Sequence, residues 1–86
     1  MGSVAVTFRV MPEGLEVDLE ALKSSVRGAL GTAFRNLEER PVAFGLRAIL
    51  AIAIVDDASG GAEALEASLS GLPGVSSVET IDVTLV

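Results

Sequence analysis

Carboxylates are the only abundant groups in this chain that could do acid–base or metal chemistry. Its 86 residues hold twelve Asp and Glu against six Lys and Arg, with no His and no Cys. The lack of His removes the commonest general base and the commonest transition-metal ligand. The lack of Cys excludes disulfides, thiolate nucleophiles and Cys-ligated zinc. Two acidic pairs, Glu38-Glu39 and Asp56-Asp57, are adjacent in sequence, but neighbours on a strand point to opposite faces, so neither pair converges by spacing. Asp56-Asp57 with Gly60 could hold a hard cation; no calcium-loop spacing surrounds them, and a solvated turn is the stronger reading. Ser24-Ser25 and Ser76-Ser77 have no imidazole to activate them. Gly60-Gly61 precedes a helical pattern, where free N–H groups favour an anion. No Lys-Ser or Lys-Thr follows, and Asp56 and Asp57 would repel phosphate. No catalytic residue, metal or cofactor is expected. The net charge of −6 is the wrong sign for phosphate backbones, so no direct nucleic-acid contact is expected either. An acidic surface favours solubility and basic partners. Recognition is what remains.

The elements that would position a recognition surface follow from periodicity. SVAVTFRVM alternates, with Val4, Val6, Phe8 and Val10 on one face and Ala5, Thr7, Arg9 and Met11 on the other, as in a half-buried strand. Pro12 and Gly14 end it. Asp18 reads as an N-cap, with Glu20 in the first turn and Leu19, Leu22, Val26 and Ala29 or Leu30 at helical spacing; a helix over about 18–30 is expected, stopping at Gly31. Residues 33–40 alternate Phe34, Asn36, Glu38 and Arg40 against Arg35, Leu37 and Glu39, and their charges suit an edge strand that Pro41 bends or breaks. Leu46 to Val55 is apolar almost throughout, as a central strand would be. AEALEASLS places Ala62, Leu65, Leu69 and Leu72 on one helical face before Gly71 and Pro73, and GVSSVETIDVTLV is a final strand.

The order βαββαβ in one domain of residues 1–86, with short connections and right-handed crossovers, predicts an α+β ferredoxin-like sandwich: a four-stranded antiparallel sheet with two helices on one face. The other face would carry Ala5, Thr7, Arg9, Arg47, Ile49, Ala51 and Ala53 if alternation ran straight through, a flat surface for a partner or for weak self-association. GLPGVSSVET resembles a segment of ferredoxin-like heavy-metal-binding domains and of amino-acid-sensing regulatory domains. The former need a Cys-x-x-Cys that is absent; a ligand-sensing or dimerisation module stays open as the alternative function. The N-terminus shows no basic stretch leading into an apolar run. The run Ala48 to Val55 is too short to span a bilayer, so a cytoplasmic chain without membrane contact is expected.

PVAFGLRA, residues 41–48, fits neither role of its neighbours: a Pro, then a Phe-Gly pair, then an Arg, at the start of the most apolar strand. With MGSVAVTFRVMPEGLEVDLEALK before it and GGAEALEASLSGLPGVSSVETIDV after it, it resembles archaeal translation elongation factor 1-beta over residues 1 to about 83, in order and nearly without gaps. The resemblance implies a guanine-nucleotide exchange factor for the GTPase elongation factor 1-alpha. It implies that Phe44 projects from the hairpin between the two middle strands into a hydrophobic pocket of that GTPase. Gly45, Leu46 and Arg47 would lie around it, Pro41 would stiffen the hairpin, and Asp82 on the last strand would form a second edge of contact. After Asp82-Val83, where archaeal members usually carry Arg or Lys, this chain has Thr84-Leu85-Val86. Either Arg47 or Arg9 supplies that charge, or exchange is weak without it.

Overall fold

The computed structural model describes residues 2–56 and 61–86. Six main elements follow one another: β1 (Ser3–Pro12), α1 (Leu19–Leu30), β2 (Phe34–Pro41), β3 (Arg47–Asp56), α2 (Gly61–Ser70) and β4 (Val75–Leu85). The strands form one antiparallel sheet in the order β2-β3-β1-β4. β3 and β1 occupy the centre, the charged β2 lies at one edge and β4 at the other. This is the ferredoxin-like sandwich expected from the element order.

The core lies between the helices and one face of the sheet. Val6, Phe8 and Val10 of β1 are fully buried beside Ile49, Ala51 and Ala53 of β3, beneath Leu22, Val26 and Leu30 of α1 and Leu69 of α2. Full burial of a side chain such as Phe8 contributes about 1.5–3 kcal/mol. The small Ala51 opposite Phe8 leaves room for the ring. Asp18 caps α1 as its sequence position predicts, its carboxylate accepting from the N–H groups of Glu20 (3.0 Å) and Ala21 (3.3 Å). This satisfies donors that the first helical turn would otherwise leave without partners. At the other end, the Gly31 N–H donates to the Arg27 carbonyl.

Two readings of strand parity are corrected by the register. Ile49, Ala51 and Ala53 belong to the core and not to the open face, because they pair with Val10, Phe8 and Val6. The open face is carried instead by Leu50, Ile52 and Ile54, opposite Arg9, Thr7 and Ala5. Arg47 likewise shares the parity of Ile49. A run that is apolar at nearly every position carries no parity of its own, so only pairing decides which residues face the helices. In β2, a bulge between Phe34 and Asn36 shifts the alternation. Phe34 therefore shares the helix-facing side with Leu37 and Glu39, opposite Ala53, Ala51 and Ile49. The Phe34 ring is half-buried under the Arg27 guanidinium, 5.7 Å from its centroid.

Candidate functional site

The β2–β3 hairpin ends in a tight turn. Pro41 and Arg47 form the last strand pair. Beyond them the Val42 N–H donates to the Leu46 carbonyl (2.8 Å), and the Leu46 N–H donates to the Ala43 carbonyl (3.2 Å). The two residues inside that turn both have positive φ, 62° at Phe44 and 80° at Gly45. Positive φ at both central residues is the type I′ pattern, whose twist matches that of the flanking strands. Gly45 accepts this without strain. Phe44 does not: a left-handed backbone costs an ordinary L-residue about 1–2 kcal/mol, and Asn or Gly is the usual occupant.

Nothing in the domain's own packing offsets that cost. Phe44 is 92% exposed. Of the three aromatics, Phe8 fills the core, Phe34 lies under Arg27, and Phe44 alone stands in solvent. A strained residue bearing an exposed apolar ring points to a purpose outside the fold. A Cβ at Gly45 would lie 3.5 Å from Cδ2 of Leu15 in the β1–α1 connection, an ordinary van der Waals separation, so the positive φ and not crowding is what calls for glycine there. Leu46 is half-buried, and Arg47 stands exposed at the hairpin base.

The base of the hairpin is tied to α1 by charge. Glu39 of β2 pairs with Lys23 of α1, while Arg47 Nη1 lies 3.6 Å from Glu39 Oε1. Lys23 Nζ also donates to Glu20 Oε2 at 3.0 Å. The hydrogen bond from Lys23 holds the Glu39 carboxyl below its ordinary range, partial burial opposes this, and the nearby Lys23 and Arg47 charges add to the lowering. Lys23 is pushed up, first by Glu39 and then by Glu20. One carboxylate thus joins the strand before the tip, the strand after it and the helix beside it.

The other expected residues lie elsewhere. Asp82 sits on β4 opposite Thr7, accepting from Thr84 Oγ1 at 3.1 Å. Thr7 pairs with Ile52, five residues along β3 from Arg47, which is about 17 Å at strand rise. Asp82 is therefore not gathered with the tip; it belongs to an edge strand that also exposes Ile81 and Val83. Arg9 lies on the open face, paired with Glu79 of β4. Of the two candidate cations, Arg47 is the one beside Phe44. The Asp56-Asp57 turn with Gly60 lies partly outside the described residues, and among those described no three carboxylates gather as a metal site requires. Among them also, no helix is long and apolar enough to cross a membrane.

The sequence singles out the Phe-Gly pair but gives no sign that Phe44 itself adopts a left-handed backbone. Sequence reasoning missed Leu15 and the bridging role of Glu39. A leucine inside a Gly-containing turn, flanked by Glu13 and Glu16, was the available signal for Leu15.

The fold itself is widely used. The ACT domain from the GTP pyrophosphokinase of Chlorobium tepidum superposes with a TM-score of 0.64, covering 92% of this chain and 99% of its own, at 15% identity. That likeness is one of architecture alone. The similarity in sequence lies elsewhere. Elongation factor 1-beta of Methanothermobacter thermautotrophicus is 49% identical over 85 residues, covering 96% of each chain. The Methanoregula boonei elongation factor 1-beta is 47% identical, covering 99% of each. Residues 5–86 match the model of the EF-1 guanine nucleotide exchange domain. The chain belongs to that family of exchange domains, and so is an exchange factor of translation elongation.

Proposed function

We propose that this chain releases GDP from elongation factor 1-alpha by inserting Phe44 into an apolar pocket of that GTPase. The observation that carries this reading is the 92% exposure of a ring held on a strained, hydrogen-bonded turn. A ring presented this way loses little freedom on docking, so most of its burial appears as binding free energy. Pro41 restricts the strand leading into the turn, Leu46 anchors the strand leaving it, and Gly45 lets a partner approach the backbone. Arg47 supplies the positive charge nearest the tip. Asp82 would take part only through a second footprint along β4.

Exchange follows from linkage. A factor that binds the empty GTPase more tightly than the loaded one weakens nucleotide binding by the same ratio. Accelerating release by three to five decades requires about 4–7 kcal/mol of preference for the open state. One buried aromatic contributes about 1.5–3 kcal/mol of that. The remainder would come from disturbing the GTPase's magnesium ion, whose octahedral shell tolerates little distortion, and from reshaping its phosphate-binding loop. Nothing in this scheme makes or breaks a covalent bond in the factor.

The test is release of fluorescent GDP from loaded elongation factor 1-alpha as the factor is titrated in. Saturable acceleration is expected. A release rate equal to that in buffer, at concentrations where binding is complete, removes the proposal.

A further inference from the structure

The β1–α1 connection lies at the same end of the molecule as the hairpin tip, and it is fastened rather than loose. The Glu13 N–H donates to the Gly74 carbonyl at 2.9 Å, and the Val17 N–H donates to the Gly14 carbonyl at 3.3 Å. The Val17 side chain rests on Gly74, where an added Cβ would meet it at 3.3 Å. Residues 14–17 therefore form a closed turn with Leu15 and Glu16 at its centre, tied to the loop that precedes β4. Leu15 is 70% exposed, and its Cδ2 lies 3.5 Å from where a Cβ on Gly45 would stand, so the two turns are neighbours. Two of the exposed large apolar side chains, Leu15 and Phe44, thus stand on two separately braced turns that lie side by side at Gly45. No ion pair involves Glu13 or Glu16 among the described residues, in contrast to Glu39 and Arg47 at the hairpin base.

We infer that Leu15 is a second apolar anchor. It enters the same surface of the GTPase as Phe44, and that surface carries basic side chains facing Glu13 and Glu16. The inference rests on the exchange reading and extends it. Continuity with the hairpin tip argues for the same occupant, and two anchors on neighbouring turns resist rotation about the Phe44 ring, which a single anchor does not. The carboxylates beside Leu15 are placed to steer a basic rim during approach. An apolar residue at the centre of a solvent-facing turn adds little to the domain's own core.

The experiment titrates wild type, Leu15→Ala, Leu15→Ser and Phe44→Ala against GDP-loaded elongation factor 1-alpha, with amide exchange of residues 42–46 measured in each free protein. Leu15→Ala and Leu15→Ser should raise the half-saturating concentration about 5- to 20-fold, as for loss of a partly exposed aliphatic contact. Protection at Val42 and Leu46 should stay unchanged. Glu13→Gln with Glu16→Gln should slow association and flatten its dependence on ionic strength. If both Leu15 variants titrate like wild type while Phe44→Ala fails, the second anchor is refuted and the exchange reading stands. If Leu15→Ala weakens exchange but also loosens the 42–46 amides, Leu15 is a prop for the hairpin and the inference is overturned. If Phe44→Ala is also indistinguishable from wild type, the parent reading is what fails.

Discussion

Phe44→Gly should make the domain more stable and the factor nearly inactive, and the opposite signs are what the geometry demands. The wild-type residue is held at φ 62°, ψ 27°, a conformation costing about 1–2 kcal/mol for an L-residue. Glycine removes that cost but adds about 0.5–1 kcal/mol of backbone entropy to the unfolded chain. The ring's own packing is slight. At 92% exposure less than a tenth of it is buried, worth roughly 0.2 kcal/mol. The net gain centres on about 0.5 kcal/mol, a rise in Tm of about 2–4 °C for a domain of this size. Phe44→Ala keeps the left-handed backbone and should leave Tm within about 1–2 °C. Both variants lose the ring's burial on the partner, about 1.5–3 kcal/mol or roughly 10- to 150-fold in catalysed release. Calorimetry and fluorescent-GDP release on the same preparations read the two effects. A Tm that falls by several degrees in Phe44→Gly would mean that the ring supports the fold, refuting the strain argument. Release within twofold of wild type would refute the anchor.

Other expectations follow from the same contacts. Glu39 has its pKa lowered by Lys23, so its contribution to stability is complete above the ordinary value of 4.5 and fades as pH falls through the lower folded value. Lys23 is raised, so its share is complete below 10.5 and is lost as pH rises above that. Glu39→Gln should therefore flatten the acid side of a Tm-against-pH curve below pH 4.5, and an unchanged acid limb would show that the bridge is idle in solution. Asp18→Ala removes the cap of α1 and should cost about 1 kcal/mol, read as a Tm lower by about 4–8 °C. Leu69→Ala empties the fully buried site beneath α2. Its expected cost of about 2–5 kcal/mol in urea unfolding is a large part of what a domain of this length has.

Much of the architecture was legible because its signals are local. The alternation from Val4 to Val10, the Asp18 cap and the Leu65-Leu69-Leu72 spacing each depend on residues a few positions apart, and each has its expected structural counterpart. Edge placement of β2 was readable from Glu38, Glu39 and Arg40, whose charges a central strand could not bury. β3 was not readable in the same way. Leu46 to Val55 is apolar on both faces, so choosing Ala51 over Ile52 for the core required knowing that Phe8 stands opposite it. The bulge at the start of β2 defeated simple alternation for a related reason: an extra residue changes which side chains share a face without changing composition.

From the chain alone came the order of elements, the absence of imidazole and thiol chemistry, and the singling out of a Phe-Gly pair between two strands. Tertiary structure decided the rest. It set Phe44 in a left-handed turn facing water, brought Leu15 near Gly45 across thirty positions of sequence, and made Glu39 the link between α1 and the hairpin base. The division has one physical cause. Propensity and periodicity act between near neighbours and are written in local sequence, whereas register, strain and distant contact exist only once strands have paired and turns have closed.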